Sequence, residues 1–337
     1  MKRLLLIVLP LLMIVGCSNP EPINENSLVD RNGVKYQQDS QKPYSGEVFK
    51  LHKNSKKEVE GSYKDGKKDG LWTYWYKNGQ KSSELTYKDG LGVGPLTRWY
   101  EDGQKFFGLT QNKDGKLLYL SPGGMGIRTV KYGVYTEWYK NGQKKSEYAK
   151  INNDKDGVWT KWYDNGQKSS EKTYKNGNYD GLQTYWYENG KKRQELTYKD
   201  GKKEGIETEW YENGQKKSEG TYKNGKDDGL YTYWYENGQM NQEGTYKDGK
   251  QDGLWTSWYE NGKKYYERTI KDGNKDGLFT LWYENGQKKE EGTYKDGEGY
   301  GLQTIWYENG QKEFEGTYKD GEIISRKGWN EDGSVKE

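Results

Sequence analysis

Residues 70–90 read GLWTYWYKNGQKSSELTYKDG, and close copies follow one another along most of the chain. The Trp-Tyr pair keeps the count: Trp75-Tyr76, Trp99-Tyr100, Trp138-Tyr139, Trp162-Tyr163, then Trp186, Trp210, Trp234, Trp258, Trp282 and Trp306, each followed by Tyr. Successive pairs stand 24 residues apart, except that 39 residues separate Trp99 from Trp138. A fixed period of this length signals an array in which each unit buries its apolar face against its neighbours.

Within a unit the pattern is that of strands. LWTYWY (71–76) and KSSELTYK (81–88) are rich in aromatic residues and Thr, and Asn78-Gly79 lies between them. Asn-Gly between such stretches is a strong hairpin signal. The turn-rich DGKKDG (65–70) connects one unit to the next. Leading glycines at 46, 70, 94, 133, 157, 181, 205, 229, 253, 277 and 301 mark eleven units. The expected fold is all-β: an elongated meander or solenoid of about eleven 24-residue antiparallel β-hairpin repeats, coiled by strand twist into a twisted ribbon.

Composition agrees with a thin fold. Of 337 residues 30% are hydrophobic and 32% charged, but there are 32 Tyr and 14 Trp. Each buried ring removes roughly 150–250 Å² from water, so ring packing can hold what aliphatic content cannot. The 55 basic and 52 acidic residues nearly balance, which speaks against nucleic acid as a partner.

The ends differ from the middle. Lys2-Arg3 precede an apolar run from Leu4 to Val15, and Ile14-Val15-Gly16-Cys17 follows. The run suits a signal peptide and is short for a membrane span. The four residues resemble the lipobox of bacterial lipoproteins, which implies a signal peptide over 1–16, lipidation of Cys17 and a place in the bacterial cell envelope. Ser18 in the next position implies sorting to the outer membrane. Residues 17–27 read as a flexible tether, 28–45 as a capping hairpin about Asn32-Gly33, 46–320 as the repeats, and 321–337 as a degenerate C-terminal cap in which Trp329 echoes the repeat tryptophans. The break at 106–132 is an irregular insertion that reads as a functional loop or a decayed repeat.

Gly-x-Trp-x-x-x-Tyr, Asn-Gly and Tyr-Lys-Asp-Gly, repeated with a following Asp-Gly, resemble the bacterial variant of the MORN repeat. The resemblance covers about residues 28–337. It implies an elongated run of antiparallel hairpins, no catalytic activity, and, for some members, an antitoxin or immunity label.

In strand one, Leu71, Thr73 and Trp75 with their equivalents recur on one face, which we expect to be the packing stripe. The opposite face varies from copy to copy and carries Trp72, Tyr74, Tyr135, Trp159, Tyr185, Tyr231, Trp255 and Phe279, the candidate binding face. A two-residue Asn-Gly loop pairs Trp72 with Leu85; a three-residue loop with Gly79 as a bulge pairs it with Glu84. The first gathers more recurring residues on one face and is preferred. It brings Trp159 opposite Lys172 and Trp255 opposite Arg268 as possible cation–π pairs, and sets Tyr231 over Gly244 and Phe279 over Gly292.

His52 is the single histidine and Cys17 the single cysteine, so neither a zinc site nor Cys/His catalysis is expected. No catalytic residue, metal or cofactor is assigned. The function expected is a non-enzymatic, lipid-anchored envelope scaffold that binds protein or surface polysaccharide. Carbohydrate or cell-wall binding through the aromatic hairpins is the alternative, with an envelope immunity protein behind it.

Overall fold

Turns at Asn-Gly or Asp-Gly recur along the chain, and each of these turns reverses it. The structure, a computed structural model, describes residues 20–110, 132–151 and 154–336. They fall into two compact units, one reaching to Gln104 and one beginning at Lys105. Both are meanders of antiparallel strands, and among the described residues the one helical element is a 3-10 turn, Glu25–Ser27. The all-β array of consecutive hairpins is the fold expected from the repeats.

Each repeat has two kinds of turn. At Asp89-Gly90 both residues take positive φ, 51° and 81°, and Lys88 pairs with Leu91 across them. This is the two-residue turn whose twist suits paired strands. At the Asn-Gly turn, Gly79 N–H donates to Tyr76 O and Tyr76 N–H to Gln80 O, with Gly79 at φ 93°. That loop has three residues and ends in a glycine bulge. The observed register nevertheless pairs Trp72 with Leu85 and Thr73 with Glu84, because the ladder slips by one between Tyr74 and Trp75 and restores it. The preferred register is correct, although the turn assumed for it is not the one present.

The DGKKDG connector is also more regular than expected. Its first Asp-Gly is the turn, and the rest continues as strand Lys67–Trp75. The second glycine, Gly70, takes φ 85° and opens a bulge, so that Gly61 stands opposite a longer stretch of its neighbour between the pairs Glu60–Thr73 and Ser62–Asp69. The same irregularity recurs in later repeats, for instance between Lys172–Gln183 and Tyr174–Tyr179.

In the first unit the N-terminal residues close the array. Leu28–Arg31 pairs with Val34–Gln37 about Asn32-Gly33. Ile23 and Asn24 add a short parallel strand to Val48 and Phe49, so the tether expected over 17–27 is already structured from Ile23. Leu28 joins Val48, Val59, Tyr63 and Trp72 in a core on which Ile23 and Tyr44 also pack. In the second unit the last strand, Glu322–Gly328, pairs with Lys312–Lys319, and Trp329 bridges Val335. The signal segment and Cys17, and most of the expected insertion, lie outside the described residues.

Candidate functional site

The face expected to bind is the more buried one, while on the expected packing stripe the leucine position is open and the threonines, such as Thr73 and Thr184, are buried. Trp72 is fully buried, Trp255, Tyr135 and Phe279 are nearly so, and Trp159, Tyr74, Tyr185 and Tyr231 are half-buried. The candidate binding face is therefore the core side of each unit. The cause is the second strand, whose Tyr87, opposite Gly70, brings another ring to that face in most repeats, though Lys150 and Ile270 hold the position in two. Tyr63 and Tyr87 meet Trp72 edge-on, at 5.1 and 6.2 Å between ring centres. In the second unit Tyr135, Tyr148, Trp159, Tyr174, Tyr179 and Tyr198 follow in sequence at 4.2 to 5.3 Å. Two-strand ring packing of this kind buries more area than a single row of Leu can.

Small residues make room for the rings. Gly61 lies under Trp72, Gly220 under Tyr231 and Gly244 under Trp255, and a Cβ at any of them would fall within the ring. Phe279 covers Gly292 as expected, but Gly244 is covered by Trp255 and not by Tyr231. The expected cation–π pairs are replaced by others. Lys155, not Lys172, lies 4.5 Å from the Trp159 ring centre, and Arg268 sits over Tyr266 rather than Trp255. Lys68, 3.9 Å from the Trp72 ring, also donates to Tyr74 Oη, and burial lowers its pKa.

The recurring stripe has another use. Its leucine position is open to solvent: Leu71, Val158, Leu182, Ile206, Leu230, Leu254, Leu278 and Leu302 are between 49% and 67% exposed. These residues follow the positive-φ glycine of the bulge. In the second unit each faces a threonine of the following strand, as in Leu182–Thr197, Ile206–Thr221 and Leu230–Thr245. Thr173 Oγ1 also donates to Leu182 O, joining one hairpin to the next. The result is a solvent-facing row in which aliphatic residues and threonines alternate strand by strand.

The rest of the stripe ties repeats together. Thr184 donates to Glu195, which pairs with Lys192 at 2.5 Å, and Lys192 lies over the Trp210 ring of the next repeat. Tyr187 Oη donates to Trp210 O at 2.8 Å, and equivalent bonds join Tyr139 to Trp162, Tyr211 to Trp234 and Tyr307 to Trp329. Asn189 Nδ2 reaches Glu212 O in parallel. His52 occupies the tyrosine position of the first repeat, and its Nε2 meets Trp75 O at 2.9 Å. Since a carbonyl can only accept, Nε2 carries the proton.

A protein built in this way is an all-β repeat protein whose units are stitched by backbone pairing, a tyrosine ladder and stacked rings. The family model described as MORN repeat variant matches residues 68–89, 155–176, 179–200, 203–224, 227–248, 251–272, 275–296 and 300–320. The chain belongs to that family. No curated protein matches it. Among solved structures it is similar to "Crystal Structure of TcdB2-TccC3-Cdc42", at 10% identity over 86% of this chain and 17% of the other, with a TM-score of 0.19. A second, "Crystal Structure of TcdB2-TccC3", gives 10% identity over 88% and 19%, with a TM-score of 0.18. The chain thus spans under a fifth of either protein. Likeness at this level carries no argument about function.

Proposed function

We propose that this chain is a non-enzymatic scaffold of the bacterial cell envelope, held to the membrane by a lipid on Cys17, and that it binds a protein partner along the aliphatic–threonine row. The observation that carries the reading is the row itself. In the second unit seven aliphatic residues recur from Val158 to Leu302, each about half exposed or more. At roughly 100 Å² apiece they offer on the order of 700 Å², close to the ~800 Å² per partner of a standard interface. An aliphatic row with small hydroxyl residues between its members suits an extended apolar segment of a protein. Exposed apolar surface of this extent marks interaction sites.

The anchor is supported by the lipobox-like Ile14-Val15-Gly16-Cys17. One acyl chain binds a membrane only marginally, whereas several hold stably. A non-enzymatic role is supported by the use to which the one histidine is put, since His52 serves the ladder. Carbohydrate stacking on the candidate rings loses support where they are covered: Trp72, Tyr135, Trp255 and Phe279 are buried and pack against rings of the neighbouring strands.

A photo-reactive residue placed at Ile206 or Leu230 in intact cells should cross-link a discrete protein, and the same residue at Lys319 should not. Equal, diffuse cross-linking at all three sites would count against the row. Palmitate labelling should vanish in Cys17→Ser, and labelling that persists would remove the anchor.

A further inference from the structure

On the second unit's core face one first-strand position loses its ring in two consecutive repeats, as it does again at Gln303. Where other repeats carry Tyr135, Trp159, Tyr231, Trp255 or Phe279, these carry Gln183 and Glu207, both buried. Around the break the face becomes polar. Glu207 pairs with Lys203 at 2.6 Å and accepts from Gln194 Nε2 at 2.5 Å. Gln194 Nε2 also reaches Glu209 Oε1 at 3.3 Å, and Lys217 Nζ lies 3.4 Å from Glu209 Oε2. Arg193 lies 5.5 Å from the Tyr185 ring centre and forms no ion pair among the described residues. An open depression of about 240 Å³ is lined by Tyr187, Arg193, Gln194, Glu209, Trp210 and Lys217.

We propose that this depression binds a saccharide unit carrying a carboxylate. The inference stands apart from the protein-binding row. By strand alternation Glu207 and Glu209 face away from Ile206 and Thr208, and none of the residues lining the depression belongs to the aliphatic–threonine row. The argument rests on the mixture of charges. Arg193 is a planar cation with its carboxylate-binding fork unclaimed, which calls for an anionic group on the ligand. Glu209, by contrast, only accepts hydrogen bonds and has lone pairs beyond those used by Gln194 and Lys217. It calls for hydroxyl donors and repels a second carboxylate brought close. An acidic peptide side chain satisfies Arg193 and conflicts with Glu209. A neutral sugar satisfies Glu209 and leaves Arg193 unused. A uronic-acid-like ring satisfies both, with Tyr187 and Trp210 as aromatic walls against its apolar C–H faces. A few convergent polar groups beside aromatic walls are the usual build of a small-ligand site.

The test is saturation-transfer NMR on the full-length protein in detergent micelles, with glucuronate, glucose and glutarate as probes. Glucuronate should bind saturably in the millimolar range or below. Glucose, lacking the carboxylate, and glutarate, lacking the hydroxyls, should each bind at least about tenfold more weakly. Arg193→Gln should weaken glucuronate by a similar factor, while Lys319→Gln, an exposed lysine elsewhere, should leave it unchanged. Arg193 is exposed, and an unchanged circular dichroism spectrum will show that its variant is folded. No saturable glucuronate binding, equal binding of glutarate, or an effect of Lys319→Gln as large as that of Arg193→Gln would overturn the proposal. Cross-linking at Ile206 reads the protein-binding row separately, so either result can fail without the other.

Discussion

His52 shows how closely this fold is specified by single atoms. It replaces the tyrosine of the repeat, yet its Nε2 stands where the phenol oxygen would, 2.9 Å from Trp75 O. Sequence reading found the histidine but could not see that it continues a ladder, because that ladder links residues 23 apart. The same limit explains the inverted faces. Strand alternation tells which residues share a side, and those groupings hold. It does not tell which side is covered. Counting the rings of both strands per face, with Tyr87 beside Trp72 and Tyr74, would have pointed the right way, since aromatic area outweighs a row of leucines. The inversion makes an unusual prediction. Gly244→Ala, which drives a methyl into the indole of Trp255, should cost about 1–3 kcal/mol, as overpacked cores do. Leu254→Ala, at a position 54% exposed, should stay within about 0.5 kcal/mol, as surface changes do. Urea midpoints of the two variants check the contrast, and the reverse order would contradict it.

At the scale of the hairpin, two departures from regularity cancel. The glycine bulge in the Asn-Gly loop shifts the register by one, and the slip between Tyr74 and Trp75 shifts it back. The pairing was legible because the recurring residues must align; the turn was not, because both turn types use the same Asn-Gly letters. The hairpins also share a pH response. Burial raises the pKa of Tyr148 to about 12, with the nearby Glu137 adding to it. Tyr63, Tyr74, Tyr174, Tyr222 and Tyr233 are raised as well, each chiefly by burial. A phenol whose folded pKa exceeds its unfolded value keeps its proton longer in the folded state. Its contribution to stability is therefore complete below about pH 10, the unfolded tyrosine value, and is lost as pH rises through the folded pKa. Melting temperature should fall steeply above about pH 10. A melting temperature that holds constant through that alkaline range would contradict the buried-phenol core.

At the scale of the whole array, contacts run between neighbours 24 residues apart and rarely further. Most repeats of the second unit offer the same donors to the next: a Tyr hydroxyl, an Asn amide and a Lys over a Trp ring, with Met240 at the Lys position in one. Stability of such a chain is close to a sum of unit and interface terms. Removing residues 205–228, one whole period, places Trp234 where Trp210 stood and re-forms the ladder from Tyr187. That deletion should leave a folded β protein with cooperative melting. Removing half a period, residues 205–216, sets unlike turns side by side and should lose the β spectrum by circular dichroism. Equal tolerance of both deletions would show that the 24-residue ladder does not hold the array.

The central claim is that the rings lie inside and the recurring aliphatic position outside. Adjacent residues of one strand, Leu182 at 49% exposure and Gln183 at 0%, decide it most directly. On a Cys17→Ser background, Leu182→Cys and Gln183→Cys each carry one thiol, and both replacements are smaller than the residues they replace. Maleimide labelling of the folded protein should be rapid at 182 and should require denaturant at 183. Rapid labelling at 183 with protection at 182 would contradict the account.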